Sequence, residues 1–297
     1  MVKNETKKKP EQKKKKQRNG QFSVALSQFR RNKLAMVGIC VFLFMVIICI
    51  FAEQLTPYDY AKQDLLHKFA PLSLEHPLGT DNLGRDILTR LLKGGQISLL
   101  IGLCAALLSA AMGAVLGCTA AYFGGIYETV VMRCMDILMS MPALLLATAI
   151  STALGIGLGK SIIAIAMASL ANITRMMYST ALTVKNQEYL EAANATGASK
   201  LRCIFRHVLP NCLAPLIILT SNRFGTAISQ IASLSFLGLG VQPPTPEWGS
   251  ILNAGKQYVR TYWPLVVFPG AFIALTLVCV NFIGDGLRDA LDPRLKR

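Results

Sequence analysis

The feature that most constrains this chain is a series of six long apolar runs, four without a charged residue and two with a single arginine each. About 20 residues of helix cross a hydrocarbon core of about 30 Å. Because lipid offers no partner for a backbone N–H or C=O group, such runs are expected to be helical. The predicted spans are 34–52, 97–123, 137–154, 161–184, 213–239 and 264–283. The sequence therefore predicts an all-α membrane protein with six transmembrane helices.

The composition supports a bilayer as the solvent. Hydrophobic residues make up 53% of the 297 residues and charged residues only 16%, with a mean hydropathy of +0.44. Soluble domains carry about 25% charged residues. A soluble two-domain enzyme and a disordered protein are both excluded.

The net charge of +15 is concentrated at the start of the chain, where residues 1–33 hold twelve Lys and Arg and two Glu. No aromatic residues interleave the lysine run and no nucleic-acid-reading module follows, so no nucleic-acid partner is expected. Such a tail suits anionic lipid headgroups. We divide the chain into a basic cytoplasmic tail, 1–33, and a transmembrane domain, 34–297. A cleaved signal peptide is not expected, because the first run is long enough to span and further spans follow.

The distribution of Lys and Arg sets the orientation, since cytoplasmic loops carry the excess of these residues. Six spans place both termini on one side, and the basic side is predicted to be cytoplasmic. The prediction places 1–33, 124–136, 185–210 and 284–297 in the cytoplasm, and 53–96 and 241–263 outside.

Small residues recur every three to four positions in the second run, including the GxxxG pair Gly113 and Gly117. Small residues let helix backbones approach closely in a membrane. The pattern fits packing within this chain and a seam with a second subunit equally well.

Two other patterns are weaker. The eight cysteines form no CxxC pair and the three histidines are scattered, so we interpret the cysteines as small hydrophobic residues and expect no metal. The segment Leu154–Ser161 approaches the phosphate-binding pattern GxxxxGK[ST], but Leu154 replaces the first glycine and no soluble strand precedes it. We interpret it as a turn between spans. If the protein uses ATP, another chain must bind it.

The polar segment 185–210 is too long for a tight turn between two spans. Asn186 is expected to cap a short helix, 187–195, and Ser199 a second helix, 200–208. Gly197 supplies the free φ at which the first helix stops, and Pro210 is expected to open the next span. The segment is thus predicted to form two short helices that meet rigidly at Gly197 and project from the bundle. Its exposed acids, Glu188 and Glu191, are expected to contact basic residues at the edge of a binding groove on a partner. An ordinary amphipathic loop at the headgroups is the alternative.

A family resemblance bears on this segment. Glu191-Ala192-Ala193, then Gly197, then Leu209-Pro210, resembles the "EAA" loop of ABC-importer permeases, with His207 at the family's isoleucine position. Four further motifs are similar to the dipeptide/oligopeptide/nickel branch of these permeases: 76–87, 233–240, 243–249 and 284–293. The resemblance covers about residues 30–297.

The resemblance implies a six-helix, non-enzymatic permease subunit of the cell membrane, without a cofactor of its own. It implies a second, related permease, two ATPase subunits that bind ATP, and an extracytoplasmic solute-binding protein as partners. The segment 185–210 would be the loop that docks on an ATPase. By position, the coupling residues would be Glu188, Glu191, Ala192, Ala193, Gly197, His207, Leu209 and Pro210.

Polar residues inside the spans are candidates for the translocation path, because a charge in the bilayer is costly. Arg223 and Asn222 lie in the fifth run, and Arg175 and Asn172 in the fourth. The alternatives are an internal polar network or a side chain that reaches toward the headgroups.

Outside the membrane, residues 76–87 are expected to lead into a capped amphipathic helix, about 86–93, on the membrane surface or against the binding protein. Four aromatic residues of the second outer loop are expected in the interfacial belt. They are Trp248, Tyr258, Tyr262 and Trp263.

The function predicted from the sequence is ATP-driven import of small peptides by alternating access. Dipeptides, oligopeptides, glutathione and nickel complexes all remain open as substrates, because the binding protein largely sets specificity in the family resembled. A stand-alone secondary carrier, which often has inverted repeats and acids at mid-membrane, and a membrane anchor are the alternatives of another class. Whether the two permeases are identical also remains open.

Overall fold

The computed structural model describes residues 26–291, and the regular structure there is helical. Residues 26–31 are helical. The α-helices that follow are, in chain order, α1 (Lys33–Ile50), α2 (Ala52–Leu55), α3 (Ile87–Phe123), α4 (Gly125–Met139), α5 (Ala143–Leu154), α6 (Leu158–Lys185), α7 (Glu188–Ala195), α8 (Lys200–Cys203), α9 (Leu209–Asn211), α10 (Leu213–Phe236), α11 (Trp248–Gly255) and α12 (Pro264–Leu291). A π-helical turn, Ile204–Val208, joins α8 to α9, and 3₁₀ turns cover Leu65–His67 and Lys256–Tyr258. Most of the predicted basic tail, 1–25, and the last residues, 292–297, lie outside the described residues.

Four helices, α1, α3, α6 and α12, are long and apolar enough to cross a membrane. Two bent pairs raise the number to as many as six: α4 with α5, at 96°, and Lys200–Asn211 with α10, at 62°. The structure therefore supports four to six spans, and the predicted six is the upper value.

Several helices begin or end away from the boundaries of the predicted spans. The helix expected at 97–123 begins ten residues earlier, because Asp86 caps it by accepting a hydrogen bond from the Thr89 N–H (2.7 Å). The separate amphipathic helix expected at 86–93 is the first part of α3. The span expected at 213–239 ends at Phe236, and the one expected at 264–283 runs on to Leu291, into the predicted C-terminal tail.

The largest error concerns residues 124–136, which the sequence assigned to a cytoplasmic turn. They lie almost entirely in α4, and the run expected to span as one helix over 137–154 is broken where α4 gives way to α5. Pro142 stands directly before α5, where a missing N–H costs least. Two of the charged side chains that made α4 resemble a loop, Glu128 and Asp136, have partners on α6.

Helices α3 and α6 run side by side and parallel, and glycines set their distance. A Cβ at Gly113 would lie 2.6 Å from Ile173 Cγ2, and one at Gly117 would lie 2.5 Å from the Thr174 carbonyl oxygen. For these two glycines the interpretation as packing within this chain is confirmed. The prediction that cysteines act as small hydrophobic residues is confirmed for the five buried ones: Cys49, Cys118, Cys203, Cys212 and Cys279.

The end of the bundle at which α3 begins is closed by a buried polar cap. Glu247, fully buried, accepts hydrogen bonds from the Gly249 N–H (2.9 Å), the Ser250 N–H (2.9 Å) and the Ser98 hydroxyl (3.0 Å). Burial raises the pKa of the Glu247 carboxyl above its ordinary value, and these bonds partly oppose the rise. Trp248 is also fully buried and donates its indole N–H to the Leu91 carbonyl (2.9 Å). Its expected place in an interfacial belt is therefore wrong.

The loop before α3 belongs to the same cap. The Arg85 guanidinium pairs with Asp81 at 2.7 Å, and Arg90 lies 3.6 Å from the same carboxylate. Arg90 also donates to the carbonyls of Tyr60 (2.9 Å) and Pro244 (3.4 Å), which joins the loop before α3 to the loop before α11. The polar residues of 76–87 thus serve largely to hold this end of the bundle together.

Candidate functional site

The segment 185–210 forms a compact helical projection at the end of the bundle where α3 and α6 terminate. Its first helix, α7, starts after Gln187, which occupies the cap position without a side-chain hydrogen bond. Asn186, the predicted cap, instead follows the last residue of α6. The first-turn acids Glu188 and Glu191 still favour the N-terminal end of α7, where the helix dipole is positive.

Helix α7 ends at Gly197, as the sequence predicts. Gly197 has a φ of +81°, and its N–H donates to the Asn194 carbonyl at 3.0 Å. The Ala198 N–H donates to the Ala193 carbonyl at 3.1 Å, which completes a Schellman motif. No other part of the described chain comes within 4 Å of a Cβ built at Gly197. The backbone conformation alone therefore favours glycine here.

The second half differs in part from its prediction. Ser199 caps α8, since its hydroxyl accepts from the Arg202 N–H at 3.4 Å. The helix expected over 200–208 is α-helical only to Cys203 and continues as a π-helical turn. Pro210 lies within α9, before the bend that leads into α10, rather than at the start of the span.

Buried contacts fix the projection to the bundle. Leu190 is 1% exposed and belongs to one apolar cluster with Met177 of α6 and Ile204 of the π-helical turn. The Tyr122 hydroxyl donates to Asn194 Oδ1 at 2.8 Å. The Lys185 ammonium donates to the Ala121 carbonyl at 3.0 Å. A movement of this segment is thereby linked to α3 and α6.

The side chains of Glu188, Glu191 and Ala192 are exposed, whereas Ala193 is half-buried. The structure therefore brings two acids and a small residue together on an open helix surface. His207 and Leu209 are half-buried and Pro210 is exposed. The Asn211 side-chain amide donates to the His207 carbonyl (2.6 Å) and to the Tyr189 hydroxyl (3.1 Å), which ties the two halves of the segment.

Sequence reasoning missed two apolar side chains of this segment. Leu201 is 59% exposed and Phe205 50% exposed. Their spacing of four residues places them on one face of a helix, so the pattern was available in the sequence. They form an exposed apolar area on the second half of the 185–210 segment.

The candidate path residues fall into two groups. Arg175 of α6 forms an ion pair with Asp136 of α4, a partner that was missed because its segment was assigned to a turn. Asn172 lies half-buried one turn before Arg175. Arg223 is half-buried on α10, and Asn222 packs against Gly284 of α12.

A groove of about 890 Å³ lies between α1, α3, α10 and α12. Its lining is apolar apart from Gln96, Thr220 and Ser221, with Cys49 at one side. Such a lining suits hydrocarbon better than a charged solute.

Two family models match the sequence. The family described as binding-protein-dependent transport system inner membrane component matches residues 113–297, which include α4 to α12. The N-terminal transmembrane domain of oligopeptide transport permease C matches residues 20–72.

Individual proteins match over most of the chain. A di/tripeptide transport system permease protein, DppC, of Pseudomonas aeruginosa is 43% identical over 90% of this chain and 90% of its own. A glutathione transport system permease protein, GsiD, of Escherichia coli O6:K15:H31 is 42% identical over 91% of this chain and 89% of its own.

A solved structure shares the fold. An inward-facing conformation of the MetNI methionine ABC transporter superposes with a TM-score of 0.54 at 20% sequence identity. The match covers 68% of this chain and 96% of that chain. The bent α4–α5 pair and the helical segment 185–210 thus occur in a chain whose fold is that of an ABC-transporter membrane subunit.

Proposed function

Because this chain belongs to the binding-protein-dependent transport inner membrane component family, and is therefore a multi-pass membrane permease, we propose that it imports small peptides. The energy comes from ATP that separate ATPase subunits bind and hydrolyse. The permease itself carries out no covalent chemistry. A stand-alone secondary carrier and a simple anchor are both disfavoured by this family membership.

The observation that carries the proposal is the rigid projection 185–210. It is held by the buried Leu190 and by hydrogen bonds to the ends of α3 and α6, yet α7 exposes its acids. A partner that grips α7 would move α3 and α6 as well. ATP-driven closure of the ATPases would in this way rock the helices and open the path alternately to each side of the membrane.

The partners follow from the same proposal. Two ATPases bind on the cytoplasmic side, where both termini and the 185–210 segment lie. A second permease of the same family completes the path, and an extracytoplasmic binding protein delivers the peptide to the side of the buried Glu247 cap. The surface of α7 fits a groove with a basic rim, since Glu188 and Glu191 are exposed acids.

The experiment is co-purification of the ATPases with the tagged permease from membranes. Glu191→Lys reverses a charge at the proposed contact, and Gly197→Pro removes the N–H that closes the Schellman motif and forces a negative φ. Both variants are expected to lose the ATPases and peptide uptake. Glu75→Lys makes the same charge reversal at an exposed position of the opposite end and is expected to retain the ATPases.

Retention of the ATPases with undiminished uptake in both Glu191→Lys and Gly197→Pro would refute the docking role. A loss in Glu75→Lys as well would show that charge reversal itself, rather than its place, disturbs the complex.

A second candidate substrate is glutathione, itself a tripeptide, because the glutathione permease GsiD is 42% identical to this chain. The ligand that co-purifies with the partner binding protein, identified by mass spectrometry, separates the two. Glutathione as the sole ligand would replace general small peptides as the substrate.

A further inference from the structure

Three charged side chains meet where α4 packs against α6. The Arg175 guanidinium forms an ion pair with one carboxylate oxygen of Asp136, across the two helices. Arg133, one turn earlier on α4, approaches the other oxygen at 3.4 Å. Two cations thus share a single carboxylate, and the cluster has one positive charge in excess.

The cluster lies well away from the 185–210 segment along α6. Arg175 precedes the end of α6, at Lys185, by about 15 Å of helix. That end lies beside the 185–210 segment, since Lys185 contacts the end of α3. On the predicted span 161–184, Arg175 is therefore expected near the middle of a hydrocarbon core of about 30 Å.

The cluster is nevertheless open. The exposed fractions of the side chains are 77% for Arg133, 37% for Asp136 and 45% for Arg175. An arginine that faces lipid at this depth costs roughly 2.5–3.5 kcal/mol, and intramembrane charges accordingly face water-filled cavities or polar partners. The cluster lies beside exposed apolar residues such as Ile137 and Met176, so a polar partner or a water-filled cavity, rather than lipid, is expected to cover the charged groups.

The cluster lies beside the break between α4 and α5. Asp136 lies in the last turn of α4, and α5 leaves at an angle of 96°. Helix α5 then packs against an earlier part of α6, where Ala147 lies in one apolar cluster with Ile165 and Ala168. Nearer to the 185–210 segment, Tyr178 of α6 donates a hydrogen bond to Glu128 of α4, which is a second polar contact between these two helices.

We propose that Arg133 and Arg175 receive the C-terminal carboxylate of the peptide as it crosses the membrane. A guanidinium binds a carboxylate through two parallel hydrogen bonds, and the excess positive charge of the cluster selects an anionic group. Asp136 holds Arg175 in place between passages and gives up part of its contact when a carboxylate arrives. Because a path must also release its solute, this internal competitor keeps the binding weak. The inference rests on the proposed import of peptides.

The test uses the complete importer in proteoliposomes, with both permeases, the ATPases and the binding protein. Trialanine and its C-terminal amide are each presented at a saturating concentration of loaded binding protein, and uptake and ATP hydrolysis are measured together. Arg175→Gln is expected to reduce uptake of trialanine about tenfold, as expected for the loss of one charge-assisted contact. Uptake of the amide and the stimulated ATP hydrolysis are expected to remain unchanged. Arg133→Gln is expected to act in the same direction.

Arg260→Gln is the matched control, because Arg260 is an exposed arginine of the loop before α12, and it is expected to behave as wild type with both peptides. Equal loss of both peptides together with ATP hydrolysis in Arg175→Gln would show that the pair only holds α4 and α6, or the two permeases, together. Unchanged uptake of both peptides would place the cluster away from the path. A wild-type complex that takes up neither peptide would overturn the proposed peptide import as well. Equal loss of both peptides in Arg175→Gln, or unchanged uptake of both, would overturn only the proposed carboxylate site.

Discussion

At the scale of single residues, the absence of a side chain at Gly117 sets how closely two helices lie. The position where its Cβ would lie meets the Thr174 carbonyl oxygen at 2.5 Å and Met177 Cβ at 2.8 Å. A backbone oxygen in a helix cannot rotate out of the way as a side-chain end can. Any added methyl group therefore has to separate α3 from α6, which are also the helices that carry the 185–210 segment.

We expect Gly117→Ala to destabilise the protein by about 1–3 kcal/mol, the usual cost of adding volume to a packed contact. Gly270→Ala is the control, because Gly270 is also inside a helix but has no other group within 4 Å of its Cβ position. There the added methyl group should stabilise by up to about 1 kcal/mol through helix propensity. Thermal unfolding of both variants in detergent measures the difference. Equal midpoints for the two variants would contradict the close approach of α3 and α6.

At the scale of elements, hydropathy located the long apolar helices and missed α4, which carries charges, and the short α11. Helix α4 carries Glu128, Arg133 and Asp136, and these charges made 124–136 resemble a loop. The partners of Asp136 and Glu128 are Arg175 and Tyr178 of α6, 39 and 50 residues away in the chain. The hydropathy pattern of one segment does not show which side chains of another segment will pair with its charges. Helix α4 could therefore not be predicted from the residues of 124–136 alone.

The same reason explains the early start of α3 and the burial of Glu247 and Trp248. Arg90 made the start of α3 look too polar for a span, yet it is buried against Asp81 and two carbonyls of distant loops. By contrast, the end of α7 at Gly197 and the cap of α8 at Ser199 were predictable, because each depends on residues close to one another in the sequence. The exposed residues of α7 were likewise identified in advance, although their docking role stays a prediction.

The packing of the 185–210 segment against the bundle depends on the buried side chain of Leu190. Leu190→Ala is expected to cost about 2–5 kcal/mol, because it leaves a cavity among well-packed neighbours. Since Leu190 is the buried residue of α7, the loss should appear as local loosening of this helix. Hydrogen exchange of residues 186–203 in the purified protein should therefore become faster.

Leu201→Ala is the matched control, because the same truncation at a leucine that is 59% exposed removes few contacts. It should leave the exchange of this segment unchanged. If the two variants exchanged alike, Leu190 would not hold the segment to the bundle.

At the scale of the whole molecule, the two ends of the bundle are built for different purposes. One end is closed by buried ion pairs and by the Glu247 cap, which join α3 and the loop before it to the loop before α11. The other end presents the 185–210 segment with exposed acids and apolar side chains. This difference fits a permease on which a partner protein exerts force at the projecting end only. The proposed mechanism requires that end to lie in the cytoplasm.

This orientation is open to a direct test with two exposed positions, Leu74 in the loop before α3 and Ala195 at the end of α7. In a chain whose exposed native cysteines, Cys40 and Cys134, are replaced by serine, each position is changed to cysteine in turn. A maleimide that cannot cross membranes should label Leu74→Cys on intact spheroplasts. It should label Ala195→Cys only after the membrane is opened, because the positive-inside rule places the basic 185–210 segment in the cytoplasm. The reverse labelling pattern would show that the orientation in the membrane is opposite to the predicted one, with α7 on the side where no cytoplasmic ATPase can bind it.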